Sequence, residues 1–316
     1  MSPVGIGVDP KNNAVYHFYP FAVAASAESG ITPAFFMRKD KNTGKRGKIG
    51  LKSPARNGIV NMEVVPIPAV NPLFLISGSG MILVALAAVL LWRRKARWSF
   101  FTLGGLAWLV AVILKGVVSF YLNRPVYFAT QHLPGAISGP VYWLYIGLLT
   151  GIFEVVLVLL LVNMVNSLRR ATWQEAVAFG IGFGALEALA LGVPALLTVI
   201  WGLRGTLPPV AAMPLMVRQG ALLWALAPVV ERAFTIPIHI AAAVLVVYGV
   251  RVGRLRWFWL AFIYKTAVDA VAAFGQIAYG LHTLGHLWTI EAVIVLFGLL
   301  GVWATAAMQR QFEMLW

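Results

Sequence analysis

The stretch ALLWALAPVVERAFTIPIHIAAAVLVVYGV, Ala221 to Val250, decides the fold. It is long and apolar enough to cross a bilayer, and it carries Glu231, Arg232 and His239 within nine residues. Pro228 and Pro237 interrupt it, and such breaks are tolerated where a helix lines a cavity. A charge at the centre of a membrane helix costs about 2.5–3.5 kcal/mol. The segment must therefore turn these side chains toward partners inside a bundle rather than toward lipid.

Composition supports that reading outward from this stretch. The 316 residues are 60% hydrophobic and 11% charged, against about 25% charged in soluble domains. Six further apolar runs predict spans near 70–92, 99–122, 139–163, 175–200, 257–280 and 289–308, with this one at 219–250. All are helices, because a lipid-exposed backbone must satisfy its own hydrogen bonds. The expected fold class is an all-α polytopic membrane protein of about seven transmembrane helices, residues 70–316. Twelve Trp and nine Tyr suit aromatic belts at the two interfaces. The absence of Cys excludes disulfides, thiolate nucleophiles and Cys-ligated metals.

Residues 1–69 are not membrane-like. They hold nine basic and four acidic residues and lack the pattern of a signal peptide. Runs such as AVYHFYPFAVA (14–24) and IVNMEVVPI (59–67) predict a small β-rich extension, and Arg38–Lys52 reads as an exposed basic loop. This extension is the expected contact for a protein partner.

Basic residues in short loops set the orientation. RRKAR (93–97), LRR (168–170) and RVGRLR (251–256) lie on one side, while the opposite loops hold only Arg124, Arg204 and Arg218. The positive-inside rule puts the C-terminus in the cytoplasm and residues 1–69 outside, in a multi-pass protein of the cell membrane. The net charge of +14 is read as topology-setting charge and contact with anionic lipid, not as nucleic-acid binding.

Deep within the spans lie Lys115, Glu154, Glu187, Glu231, Arg232, His239, Lys265 and Asp269. Lys115 reads as structural or snorkelling. Glu175 and Glu291 fall in the expected first turns of their spans and read as interfacial. Lys265 and Asp269, four apart, share a helix face and are expected to pair. Arg232 points about 100° from Glu231 and is expected to reach another helix, at Glu187 or Asp269. Glycines 180, 182 and 184 are expected to admit a close backbone and to leave room for water or substrate. A buried carboxylate can act as base toward water, and an imidazole or guanidinium can stabilise an oxyanion. Two carboxylates near one His leave a metal open as an alternative. His17, His132, His282 and His286 fall in the extension or in loops. Intramembrane Glu, His, Lys and Asp also suit a proton relay, which leaves a proton-coupled transporter as a third class.

GIFE (151–154), GIGFGALEALALG (180–192), ERAFTIPIHIAAAVLVVYGV (231–250) and YKTAVDA (264–270) resemble, in order and spacing, the YhfC-type membrane proteins. Those are grouped with glutamic-type intramembrane endopeptidases, alongside PrsW and the CAAX-protease and bacteriocin-processing families. The resemblance implies a helical bundle with an intramembrane cavity in which a glutamate activates water for peptide-bond hydrolysis. It implies catalytic positions at Glu154, Glu187, Glu231, Arg232, His239, Lys265 and Asp269, with a peptide or membrane protein as substrate. In that reading Glu187 or Glu231 is the base, Arg232 and His239 stabilise the oxyanion or orient the base, and Lys265 and Asp269 form a supporting pair. The motifs are degenerate. The second Glu of the family's pair and its following Arg are Val155 and Val158 here, and two family histidines are Phe183 and Lys265. That pattern carries the alternative of an inactive member, a pseudoenzyme acting as scaffold, receptor or complex subunit.

Overall fold

The computed structural model describes residues 70–217 and 219–315. The expected β-rich extension, the basic loop Arg38–Lys52, His17 and Arg218 lie outside the described residues. Seven helices among the described residues are long and apolar enough to span a membrane. They are α1 Pro72–Trp92, α2 Trp98–Thr130, α3 Gly135–Met164, α4 Trp173–Leu203, α5 Ala221–Arg251, α6 Arg256–Tyr279 and α7 Leu284–Glu313. No strand occurs among the described residues. The protein is a multi-pass membrane protein.

Local chemistry sets where the helices start. Asn71 accepts a hydrogen bond from the Leu73 amide at 3.0 Å, and Pro72 occupies the first helical position of α1. At α4, Thr172 and Glu175 cap each other's backbone amides, and Arg97 closes on Glu175 at 2.9 Å. Glu175 thus stands in the first turn of α4, as its position predicts. Thr283 caps α7 by accepting from the His286 amide at 3.1 Å. Gly220 precedes α5 with φ +69°, a conformation that disfavours a side chain.

α5 is the axis of the bundle. In its most apolar stretch 67% of residues are buried within the protein, against 28% for α1 and α7. It packs against α1, α4, α6 and α7, and α4 packs in turn against α1 and α2. α5 remains helical through both Pro228 and Pro237.

Without a hydrophobic force between helices in lipid, close approach of backbones supplies much of the attraction. Glycines mark these approaches. A Cβ on Gly104 of α2 would strike the Phe179 carbonyl of α4, and one on Gly182 of α4 would strike the Phe101 carbonyl of α2. Gly180 and Gly184 lie against Ile240 and Ile236 of α5. The glycines of the GIGFG run therefore admit neighbouring backbones, as expected, but that space is filled by them and leaves no room for substrate.

Gly147 of α3 meets the Thr266 backbone of α6, and Gly151 meets the side chains of Thr266 and Phe262. Beginning at Gly151, α3 widens into a π-helical segment, Gly151–Val156, which carries Glu154. Nothing in the apolar run announces that widening.

Candidate functional site

The intramembrane charges from five helices converge. α2 supplies Lys115, α3 Thr150 and Glu154, α4 Glu187, α5 Glu231, Arg232 and His239, and α6 Lys265 and Asp269. Lys115, Glu154, Glu187, Arg232, His239 and Lys265 are all buried, whereas the side chains of Asp269 and Glu231 retain 24% and 34% exposure.

The contacts form a chain in which acids and bases alternate. Asp269 accepts a hydrogen bond from Thr150 and lies 4.0 Å from Lys115 Nζ. Lys115 Nζ also lies 3.3 Å from both Thr150 Oγ1 and Glu154 Oε1. Lys265 Nζ takes the other oxygen, Glu154 Oε2, at 3.0 Å. His239 Nδ1 is 3.8 Å from that oxygen, and His239 Nε2 is 2.8 Å from Glu187 Oε2. Arg232 then joins the second Glu187 oxygen to Glu231. Glu154 and Glu187 each meet more than one cationic or polar partner, which offsets the cost of taking them out of water.

This geometry revises several expectations. Of the two readings of Lys115 the structural one holds and the snorkelling one does not: it is buried at the cluster, and α2 thereby joins α3–α6 in building it. Lys265 and Asp269 share a face, but Lys265 closes on Glu154 while Asp269 closes on Thr150 and Lys115. Arg232 reaches Glu187, as expected, and also its own neighbour Glu231, because the long guanidinium stem bends around the helix. Glu231 pairs with Arg232, while His239 is held between Glu187 and Glu154. Glu291 is buried, not interfacial. α7 begins at Leu284, so Glu291 stands two turns inside the helix, within electrostatic range of Glu231 and Arg232. The loop histidines stay apart from the cluster. His132 lies in the turn after α2, and His286, in the first turn of α7, stacks on Tyr279 at 4.2 Å.

A cavity of about 10 Å³ adjoins the cluster, bounded by Glu154, Phe183, His239 and Lys265 and by apolar residues of α3–α5. That is roughly the least volume that admits one water. The Phe183 ring lies against the His239 imidazole with centroids 4.9 Å apart.

A family model described as YhfC intramembrane metalloprotease matches residues 80–294, the whole region that builds this cluster. The chain belongs to the YhfC family. Among curated proteins it is 25% identical over 257 residues to the uncharacterized membrane protein YhfC of Bacillus subtilis (strain 168), covering 75% of this chain and 96% of that protein. No solved structure matches.

The family description raises the question of a metal, and the donor set answers it. A catalytic zinc takes three protein ligands from His, carboxylate or thiolate. Among the described residues no group of three or more His, Asp or Glu is arranged to hold a metal. The cluster offers one imidazole, and its two ring nitrogens face the carboxylates of Glu154 and Glu187. Glu154 is engaged by Lys115 and Lys265, and Glu187 by Arg232 and His239. The residues present do not fit a metal.

Proposed function

We propose that this YhfC-family chain is a non-hydrolytic membrane protein, a scaffold or complex subunit, in which the intramembrane charges fasten the helices together. One observation carries the reading: the acids are tied to cations, and the cavity beside them is about 10 Å³. Peptide hydrolysis needs space for a scissile carbonyl as well as for the attacking water. The missing partner glutamate at Val155 and the Phe183 and Lys265 replacements point the same way. In this reading the C-terminus is cytoplasmic, and residues 1–69 meet a protein partner outside. The test is reconstitution into liposomes with transmembrane peptides and mass-spectrometric search for products, together with purification after gentle solubilisation. The expected results are no cleavage and a stoichiometric partner. Cleavage that Glu187→Gln or His239→Ala abolishes would overturn the proposal.

A second reading is favoured by the alignment of Glu187, His239 and the water-sized cavity. Glu187 holds Nε2 of the imidazole and so turns Nδ1 toward the cavity side. His239 would then take a proton from water there. The hydroxide would add to a peptide carbonyl, Lys265 would steady the oxyanion, and the proton would pass to the departing amine. In this reading a substrate must first open the packing between α3, α4 and α5. Glu231, on the far side of Arg232, would influence the base only through Glu187, so Glu231→Gln would slow cleavage less than Glu187→Gln.

A further inference from the structure

We infer that the Lys265 ammonium fills a place shaped for a metal ion, so that this chain is metal-independent although its family is described as a metalloprotease. The inference holds whether or not the chain cleaves peptides.

Beside apolar residues of α3–α5, four side chains that border the small cavity are Glu154, Phe183, His239 and Lys265. Two of them have the chemistry of ligands. Glu154 Oε2 and His239 Nδ1 are 3.8 Å apart. Two ligand atoms on one tetrahedral zinc lie about 3.4 Å apart, given bonds of about 2.1 Å. The supporting shell is present as well. A metal-bound imidazole characteristically gives its other nitrogen to a carboxylate, and His239 Nε2 has Glu187 at 2.8 Å.

The remaining two positions lack a donor. The Phe183 phenyl lies over the imidazole and has no lone pair to give. Lys265 Nζ is 3.0 Å from Glu154 Oε2, the same oxygen that His239 Nδ1 faces, and borders the same cavity. An ammonium has three donors and no acceptor, so it satisfies the carboxylate electrostatically while repelling a divalent ion. Its charge is covalently attached, and a metal could enter only by displacing it from a buried position.

The test measures zinc content, not activity. Detergent-purified protein is incubated with excess Zn²⁺, desalted and analysed by elemental mass spectrometry, and its melting temperature is recorded with Zn²⁺ and with EDTA. The wild type is expected to keep no stoichiometric zinc and to melt at the same temperature in both. The double variant Phe183→His, Lys265→His is expected to keep about one zinc per chain and to melt higher with Zn²⁺ than with EDTA. Cobalt in its place is expected to give the intense visible absorption of a tetrahedral site. The inference is overturned if the wild type retains stoichiometric zinc or is destabilised by EDTA. It is also overturned if the double variant folds, by gel filtration and helical circular dichroism, and takes up no zinc. Should the double variant not fold, the wild-type measurements decide alone.

Discussion

His239 Nε2 sits 2.8 Å from Glu187 Oε2, while Arg232, two helical turns earlier on α5, holds the other oxygen of the same carboxylate. One residue of α4 is thus clamped by two of α5. This pair of contacts joins the two helices at the centre of the bundle, where α5 is most buried.

Removing Glu187 takes from buried Arg232 its buried carboxylate partner, and the Glu231 carboxylate that also pairs with it is partly exposed. Breaking a buried pair from one side costs about 3–5 kcal/mol. Glu187→Ala is therefore expected to lower the melting temperature in detergent strongly, and Glu187→Gln, which keeps an acceptor, to do so less. An unchanged melting temperature in Glu187→Ala would mean that the clamp does not hold α4 to α5.

Glu154 and Lys265 form a second such unit. Either Glu154→Gln or Lys265→Met alone strands a partner, whereas the double change removes both charges. The double-mutant cycle is expected to return a coupling of about 0.5–3 kcal/mol, with the double variant more stable than the sum of the singles implies. Additive losses would show that the two do not act as a pair.

The α2–α4 contact depends on two glycines. Gly104→Ala and Gly182→Ala each drive a methyl into a facing carbonyl and are expected to cost about 1–3 kcal/mol through overpacking. Gly116→Ala, on the same helix α2 but with nothing within 4 Å of the added carbon, is the control and is expected to melt like wild type. Equal melting temperatures in all three would contradict the close approach.

The helix start at Thr172 gives a milder case. Thr172→Ala removes one half of a mutual cap at the start of α4, and such losses are about 1 kcal/mol. The expected shift in melting temperature is small beside that of Glu187→Ala. A loss as large as for the buried clamp would place the controlling contact at the start of α4 instead.

The seven spans were legible because hydropathy is dictated by lipid along the whole helix, and their order followed directly. Their ends were less so. α2 runs to Thr130, beyond the expected 122, because the polar Asn123 that closes the apolar run is buried and accepts a hydrogen bond from Tyr145 at 3.0 Å. The convergence of Glu154, Glu187, Arg232 and His239 was legible from the cost of isolated charge. The pairing was not. Face-sharing on α6 suggested Lys265 with Asp269, but partners across the bundle offered more contacts than the next turn. Lys115, alone on α2, reads in the sequence as structural or snorkelling, and only the approach of α3 and α6 reveals its acids, Glu154 and Asp269. Glu291 was misread through a five-residue error in where α7 begins.

The π-helical segment of α3 has a geometric corollary. A π turn houses one residue more than an α turn, so it resets the helix's rotational phase by about 100°. Upstream of it, Gly147 and Thr150 address α6; within it, Glu154 addresses Lys115, Lys265 and His239. Excising a single amino acid between Gly151 and Val156 would restore uniform winding while leaving hydropathy almost untouched. One flank of the helix would nonetheless swing by more than a quarter revolution, taking either the threonine or the carboxylate out of alignment. A change invisible to any measure of greasiness would thereby dismantle the electrostatic centre of the molecule.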